Sequence, residues 1–433
     1  MTHDPSITRR GLLKTSVAGA AAFVAAPTIL SSRLFGADAP SNKIVMGAIG
    51  VGSMGSGNLG GFLGDGRVQV VAVCDVDKGH VDGARNRVNG QYHNQDCRAY
   101  EDFREMIAKE KLDAVSLALP DHWHALIAVA CAKAGWDIYG EKPLARSIRE
   151  GRAICDAVSR YGRIWQTGSW QRSQGHFRQA AELVRNGVLG KIQRVEVGLP
   201  GGSSSGRVAP SPPPPGLNYN FWLGPAPWRE HCHFQGQGSV HWHWRWIMDY
   251  SGGQLTDWAG HHIDIAHWGL GKDADGPVEI AGKGEYPADG LYDAPYGYRF
   301  TCTYADGLPL IVGDGGKVPD GAKWFGEKGW IHVNRGGLWA SDPKILQEKI
   351  GPDGVRLYVS NNHHQNFLDC VRSRQATVTP AETAHRSISV ALLGEIAMLT
   401  GRKIKWNPKT EEIVGDAGAS ALLGRPYREP WTL

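Results

Sequence analysis

Ile44-Val45-Met46-Gly47-Ala48-Ile49-Gly50-Val51-Gly52-Ser53-Met54-Gly55 is an apolar run that opens into three spaced glycines. The apolar residues predict a buried strand, and the glycines predict a tight turn into a helix. Gly50 permits the turn, Gly52 lets the backbone approach a pyrophosphate, and Gly55 allows helix and strand to pack closely. Unpaired N–H groups at the start of that helix, around Ser53 and Met54, would face the phosphates. Such a fingerprint is weak alone, but a second apolar strand, Val68 to Cys74, follows it and ends in Asp75. Asp75 lies 20 residues after Gly55, where a carboxylate meets the adenosine ribose hydroxyls of a dinucleotide. Its charge would repel a 2′-phosphate, which favours NAD over NADP. Lys78 is a nearby cation that could offset that repulsion.

The alternation continues outward. A helix around Glu101 to Lys109 leads to a strand, Ala114 to Leu119, and the turn Pro120-Asp121-His122-Trp123-His124. Another helix, Ala125 to Ala134, leads to a strand ending in Tyr139-Gly140-Glu141-Lys142-Pro143-Leu144. Apolar strands alternating with helices predict a doubly wound parallel sheet, whose ligands bind at the carboxyl ends of the strands. That rule places Pro120, His124, Glu141 and Lys142 at the cofactor, with Trp123 toward the substrate. Pro143 restricts the backbone of Lys142 to extended conformations. Lysine serves as an acid or base near neutral pH when burial lowers its pKa. The plainer reading is a surface loop with an ordinary Glu-Lys pair, and the surrounding motifs argue against it.

These features resemble the Gfo/Idh/MocA family of NAD(P)-dependent sugar oxidoreductases. The likeness rests on the glycine fingerprint, Asp75, the Pro120 to His124 turn, Ala134-Gly135-x5-Glu141-Lys142-Pro143, and Leu183-Val184-x-x-Gly187-x-Leu189-Gly190-Lys191-Ile192. It implies a Rossmann domain, then an α+β domain on an open, mostly antiparallel sheet, with Lys142 at the reacting carbon beside the nicotinamide. It also implies a homo-oligomer, since family members often pair through the open sheet. Short strands read at Lys191 to Val197, Val278 to Gly284, Tyr298 to Tyr304 and Trp330 to Val333 agree with such a sheet. The expected layout is a segment at 1–39, a nucleotide domain at 40–165 and a substrate domain at 166–433. An irregular insertion, 200–250, carries Gly201 to Ser205 and Pro212 to Pro215 and reads as a lid or interface.

Residues 219–268 hold seven of the sixteen tryptophans and seven of the seventeen histidines. Flat apolar rings beside hydrogen-bonding imidazoles suit a carbohydrate site. His241-Trp242-His243-Trp244-Arg245-Trp246 reads as a period-2 segment with aromatic residues on one face. Trp244, Arg245 and His262 are the substrate candidates here. Asp257 and His261 are four apart, on one face of a helical turn. The family's D-x-x-x-H motif falls on them, which implies that His261 exchanges the proton and Asp257 orients the substrate. The rival is a metal held by His261-x2-Asp264-x2-His267 or by His241 and His243. That spacing drifts around a helix and the family chemistry needs no metal, so none is expected. Farther on, His363 and His364 precede a helix, Ala381 to Thr400, and a strand, Lys403 to Trp406.

Thr8-Arg9-Arg10-Gly11-Leu12-Leu13-Lys14 precedes an alanine-rich apolar run, Val17 to Leu30, that is short for a membrane span. Twin arginines before such a run resemble a Tat export signal, with Ala37-Asp38-Ala39 as a cleavage site. An uncleaved signal would act as an anchor. The net charge of +4 falls to +2 without residues 1–39, which hold four basic and two acidic residues. Nothing resembles a basic stripe, so nucleic acid is not expected as a partner. Seven scattered cysteines without a C-x-x-C fit neither a disulfide framework nor a zinc site.

The sequence thus predicts an exported, Tat-translocated periplasmic enzyme acting on a secondary hydroxyl of a small-molecule sugar or glycoside. Lys142, His261 and Asp257 would do the chemistry, and Glu141 would orient Lys142. Outside the cytoplasm free NAD is scarce. Retention for hours at an association rate near ~10⁶ M⁻¹s⁻¹ needs a sub-nanomolar Kd, hence a tightly bound cofactor. Two other readings stay open. One is an NAD-dependent glycoside hydrolase working through transient oxidation at C3, and the other a non-catalytic sugar- or NADH-binding protein.

Overall fold

The computed structural model describes residues 42–433, so the twin-arginine segment lies outside the described residues. The first domain alternates as the apolar pattern predicts. It runs β1 (Ile44–Ile49), α1 (Ser53–Leu63), β2 (Val68–Cys74), α2 (Lys78–Tyr92), β3 (Arg98–Tyr100) and α3 (Phe103–Lys109). It continues with β4 (Ala114–Leu117), α4 (Asp121–Lys133), β5 (Asp137–Gly140), α5 (Ile148–Arg160) and β6 (Trp165–Thr167). The strands form a parallel sheet in the order β3-β2-β1-β4-β5-β6.

Register decides where the site forms. Cys74, Ile49, Leu117, Gly140 and Thr167 pair in one row across the sheet. The residues after them, Asp75, Gly50, Ala118, Glu141 and Gly168, therefore emerge side by side at the carboxyl edge. Backbone crowding there accounts for the glycines. Gly50 sits at φ +76°, and a Cβ on it would lie 2.2 Å from the Ala118 carbonyl oxygen. One on Gly55 would lie 1.9 Å from the Gly50 carbonyl oxygen.

After α6 (Gly175–Arg185) the second domain is built on β7 (Ile192–Leu199), followed by α7 (Tyr219–Leu223), the hairpin β8 (His233–Phe234) and β9 (Gln237–Gly238), and α8 (Gly253–Leu270). Strands β10 (Glu279–Glu285), β11 (Gly297–Thr303), β12 (Pro309–Asp314), β13 (Gly321–Gly326), β14 (Gly329–Asn334) and β15 (Gly337–Ala340) come next. Then α9 (His363–Ser373), α10 (Ala381–Thr400), β16 (Ile404–Asn407), β17 (Glu412–Ile413) and α11 (Ala417–Ala421) end the chain. The nine-stranded sheet runs β15-β14-β13-β7-β12-β11-β10-β16-β17 and is antiparallel except at β7–β12. Strands β12, β13 and β15 had no counterpart in the sequence reading. Each carries a glycine, and cross-strand pairing defines it.

The 200–250 insertion is more ordered than its composition suggests. It packs its own aromatic core of Tyr219, Trp222, Trp244, Trp246, Tyr250 and Tyr292. Two backbone bonds seat it on the first domain, Lys78 N–H to the Gly216 oxygen (3.0 Å) and Asn218 N–H to the Val76 oxygen (3.0 Å). The expected period-2 segment is instead a 3-10 turn over His243–Trp246. His243 is buried and bonded to Tyr292 and to the Phe234 carbonyl, while Trp242 is exposed. Tertiary burial of the aromatic rings overrides the alternation. All seven cysteines are buried free thiols.

Helix α8 is buried on nearly every side although it carries charges. Two of its buried polar side chains, Asp264 and His267, have close partners. Asp264 accepts from Arg172 Nε (2.6 Å) and Nη2 (2.8 Å), and Arg172 also reaches Asp273. His267 Nε2 lies 2.5 Å from the Tyr304 hydroxyl. These partners break up the His261–Asp264–His267 metal set, since Asp264 and His267 are engaged elsewhere. Removing Arg172 strands a buried carboxylate. Arg172→Met should cost about 3–5 kcal/mol in urea unfolding, with part recovered by adding Asp264→Asn. A loss no larger than a surface pair's ~1 kcal/mol would show that the pair does not hold α8 in place.

Candidate active site

A cleft of about 360 Å³ opens where the carboxyl edge of the parallel sheet meets the insertion and α8. Gly50, Gly52, Ser53, Met54, Gly55, Asp75, Pro120, Glu141 and Lys142 all line it, as do Trp123, Trp244, Arg245 and Asp257. Gly52 caps α1 without a side-chain hydrogen bond, which leaves the helix N–H groups to a ligand. Asp75 accepts from the Val51 N–H (2.8 Å) and the Asp77 N–H (3.0 Å), so its carboxylate is held at the cleft wall. Lys78 does not offset that charge in the cleft, because its ammonium pairs with Asp82 on the outer face of α2. The glycine cradle, open helix end and fixed carboxylate fit a dinucleotide and disfavour a 2′-phosphate.

At the other end of the cleft, Lys142 Nζ donates to Asp257 Oδ1 at 2.7 Å. Both side chains are mostly buried, with 17% and 16% of their surface exposed. The Lys142–Pro143 peptide is cis. Arg245 Nε stands 3.9 Å from the same Asp257 oxygen, its guanidinium lying over Trp242 and Trp244. One turn along α8 from Asp257, His261 is buried between Trp258 and Trp170. Gly260 lets α8 approach, since a Cβ there would lie 3.1 Å from Lys142 Cβ. Burial, and then the charges of Lys142 and Arg335, hold the His261 imidazole well below its ordinary pKa, so it is neutral at pH 7.

Glu141 does not pair with the Lys142 ammonium, which goes to Asp257. Its carboxylate accepts from Asn58 Nδ2 (2.9 Å) on α1, and burial raises its pKa. Asn58 in turn meets His364 Nε2 (3.3 Å), whose ring stacks on Tyr139. His124 is a tie between loops, with Nδ1 2.7 Å from the Pro143 oxygen and Nε2 2.8 Å from the Leu119 oxygen. That spends both ring nitrogens away from the cleft. His262 faces away as well. It stacks on Trp258 and comes within 3.3 Å of Asp320, a close approach rather than an aligned hydrogen bond. As its neighbour on α8, it points about 100° from His261. His363 holds Ser173 Oγ (2.7 Å) and the Thr167 oxygen (2.8 Å), and burial pushes its pKa to about 4. Trp123 lines the cleft and donates from Nε1 to the Trp222 oxygen (2.8 Å), which fastens the insertion.

Several lining groups escaped the sequence reading. Phe221, Trp222 and Val240 cover the cleft from the insertion. His241 Nε2 lies 3.2 Å from Asp77, and the His80 ring lies tilted 4.9 Å from that of His241 while approaching Asp75 at 3.6 Å. Asp77, His80 and His241 thus knot the insertion to the adenosine end. Only His241 lay in a motif singled out from sequence, and no spacing joins it to residues more than 150 positions earlier.

Residues 44–169 match the family described as "Oxidoreductase family, NAD-binding Rossmann fold", and residues 176–433 match "Oxidoreductase family, C-terminal alpha/beta domain". The chain is 24% identical over 356 residues to the rhizopine catabolism protein MocA of Rhizobium meliloti, covering 81% of this chain and 93% of that protein. It is 30% identical over 150 residues to inositol 2-dehydrogenase 1 of Saccharopolyspora erythraea, covering 34% of this chain and 42% of that relative. The WlbA dehydrogenase from Bordetella pertussis, solved with NADH and UDP-GlcNAcA, shares the fold at a TM-score of 0.63 and 18% identity. That match covers 84% of this chain and 98% of WlbA.

The His261 environment is directly measurable. In a protein with labelled histidine, the His261 imidazole should stay neutral as pH falls from 8 through the ordinary range near ~6.5, where a free histidine takes up its proton. Its NMR signal, assigned by its loss in His261→Asn, should not titrate there. A midpoint near that of free histidine would contradict the buried, cation-flanked setting.

Proposed function

The chain belongs to the Gfo/Idh/MocA oxidoreductase family, and from that premise we propose that it is an exported dehydrogenase of a sugar or glycoside, holding its NAD tightly. The observation that carries the reading is the Lys142–Asp257 pair lining the dinucleotide cleft, with neutral His261 one helical turn from Asp257 and close enough to Lys142 for its charge to act on the imidazole. Gly50 to Gly55, Asp75 and Pro120 would hold the cofactor, and bound there NAD supplies a two-electron hydride acceptor. The twin-arginine segment supports export.

The residues of the chain divide the remaining work. Asp257 fixes the Lys142 ammonium, which donates to the substrate oxygen and stabilises charge that develops on it. His261 enters the reaction neutral, so it can accept the hydroxyl proton during oxidation and return it during reduction. Trp244 and Arg245 present a flat, polar-edged wall suited to a sugar ring. Apolar side chains of the insertion exclude water from the cleft.

Two measurements test this. Protein purified without added nucleotide and then denatured should release nicotinamide dinucleotide in near-stoichiometric amount. A supernatant free of it would sink the tight-binding reading. On a screen of sugars and glycosides followed by mass spectrometry, the native protein should form products lighter by two hydrogens. Lys142→Ala should lower kcat roughly 10²–10⁴-fold while keeping its NAD. Unchanged turnover in that variant would remove Lys142 from the chemistry. Phenol release from aryl glycosides, with no keto sugar accumulating, would instead indicate a hydrolase.

A further inference from the structure

Arg335 occupies the two-residue turn between β14 and β15, with Asn334 and Gly337 paired behind it. A turn arginine ordinarily extends into solvent. Here the guanidinium lies over two indoles, 4.7 Å from the Trp170 ring and 4.5 Å from the Trp258 ring. The same two rings flank His261, at 6.3 and 5.6 Å. Gln171 links the two sites again. With its amide oriented to satisfy both neighbours, it donates to the His261 carbonyl (2.9 Å) and accepts from Arg335 Nε (3.2 Å). Nε is thereby spent, and the terminal Nη pair is left over. Among the described residues no carboxylate lies within 4.0 Å of this guanidinium, although most other arginines near the site have one.

Holding an arginine still in this way costs rotamer entropy, which the two cation–π contacts offset. The result is a pre-oriented, still solvent-accessible cation beside the two rings that flank His261, on which Asp320 and Asp257 act only from beyond ion-pair distance. Guanidinium forks match a carboxylate edge to edge with two parallel hydrogen bonds. Resting on the reading of the site as a sugar oxidoreductase, we propose that the substrate is a sugar acid whose carboxylate is received by the Nη edge of Arg335. Arg245 is a poorer candidate for this role, because Asp257 already faces it.

The test compares glucuronate and galacturonate with their methyl esters and with glucose and galactose, on the protein with its NAD in place. Calorimetric binding and NADH absorbance are both read. An acid should bind about 10–100-fold more tightly than its own ester, the range expected for hydrogen bonds to a charged group. Arg335→Gln should collapse the acid-to-ester ratio toward one, and Arg335→Lys should restore part of it, with thermal unfolding confirming that both variants are folded. Equal affinity for acid and ester in the native protein, or an unchanged ratio in Arg335→Gln, overturns the proposal. Oxidation of neutral sugars without preference for acids overturns it while leaving the dehydrogenase reading intact. Failure of every sugar to bind or react removes both.

Discussion

The Lys142–Asp257 ion pair is the contact on which the rest of the site depends, because it joins the two domains at the point where chemistry would occur. Two mostly buried charges 115 positions apart are costly unless they meet in good geometry, and either one left alone would cost several kcal/mol. The pair therefore requires α8 to dock against the carboxyl edge of the parallel sheet, and Gly260 provides the space for it to do so. Asp257 is the partner that turns the flexible Lys142 side chain into a fixed one, while Glu141 beside it bonds to Asn58.

Docking of the domains is reinforced far from the pair. Arg146 forms a two-pronged bond with Glu395 on α10, and Arg425 near the end of the chain reaches Glu150 and the His122 carbonyl. Trp431 closes an aromatic stack with Trp123 and Phe221, while Arg428 bonds to Asn220 and Gly224 in the insertion. The last residues of the chain thus clamp the insertion over the first domain. A cleft covered in this way suits a cofactor that does not exchange.

Buried polarity on α8 has one physical logic throughout. Asp264 is neutralised by Arg172, and His267 stays uncharged with burial pushing its pKa to about 4. His261 is likewise kept neutral by burial, together with the charges of Lys142 and Arg335.

Much was legible in the sequence because it depends on local rules. The glycines of the dinucleotide turn, Asp75 at a strand end, Lys142 before a proline and the i, i+4 pair of Asp257 and His261 follow from turn sterics and helical period. The parallel sheet followed from apolar alternation. Local spacing could not assign what depends on distant partners. Glu141 bonds to Asn58 rather than to the Lys142 ammonium, His124 became a strut between loops, and His262 turned away from His261 toward Asp320. The His241–Trp246 alternation gave way to a turn whose rings were worth more in a shared core. Arg335 carried no signal at all, since its meaning comes from two indoles and a glutamine supplied by two other segments. Periodicity and backbone sterics act within a few residues and determine elements and motifs. Partners of buried charges and rings are chosen by packing across the whole chain, so only the tertiary structure decided them.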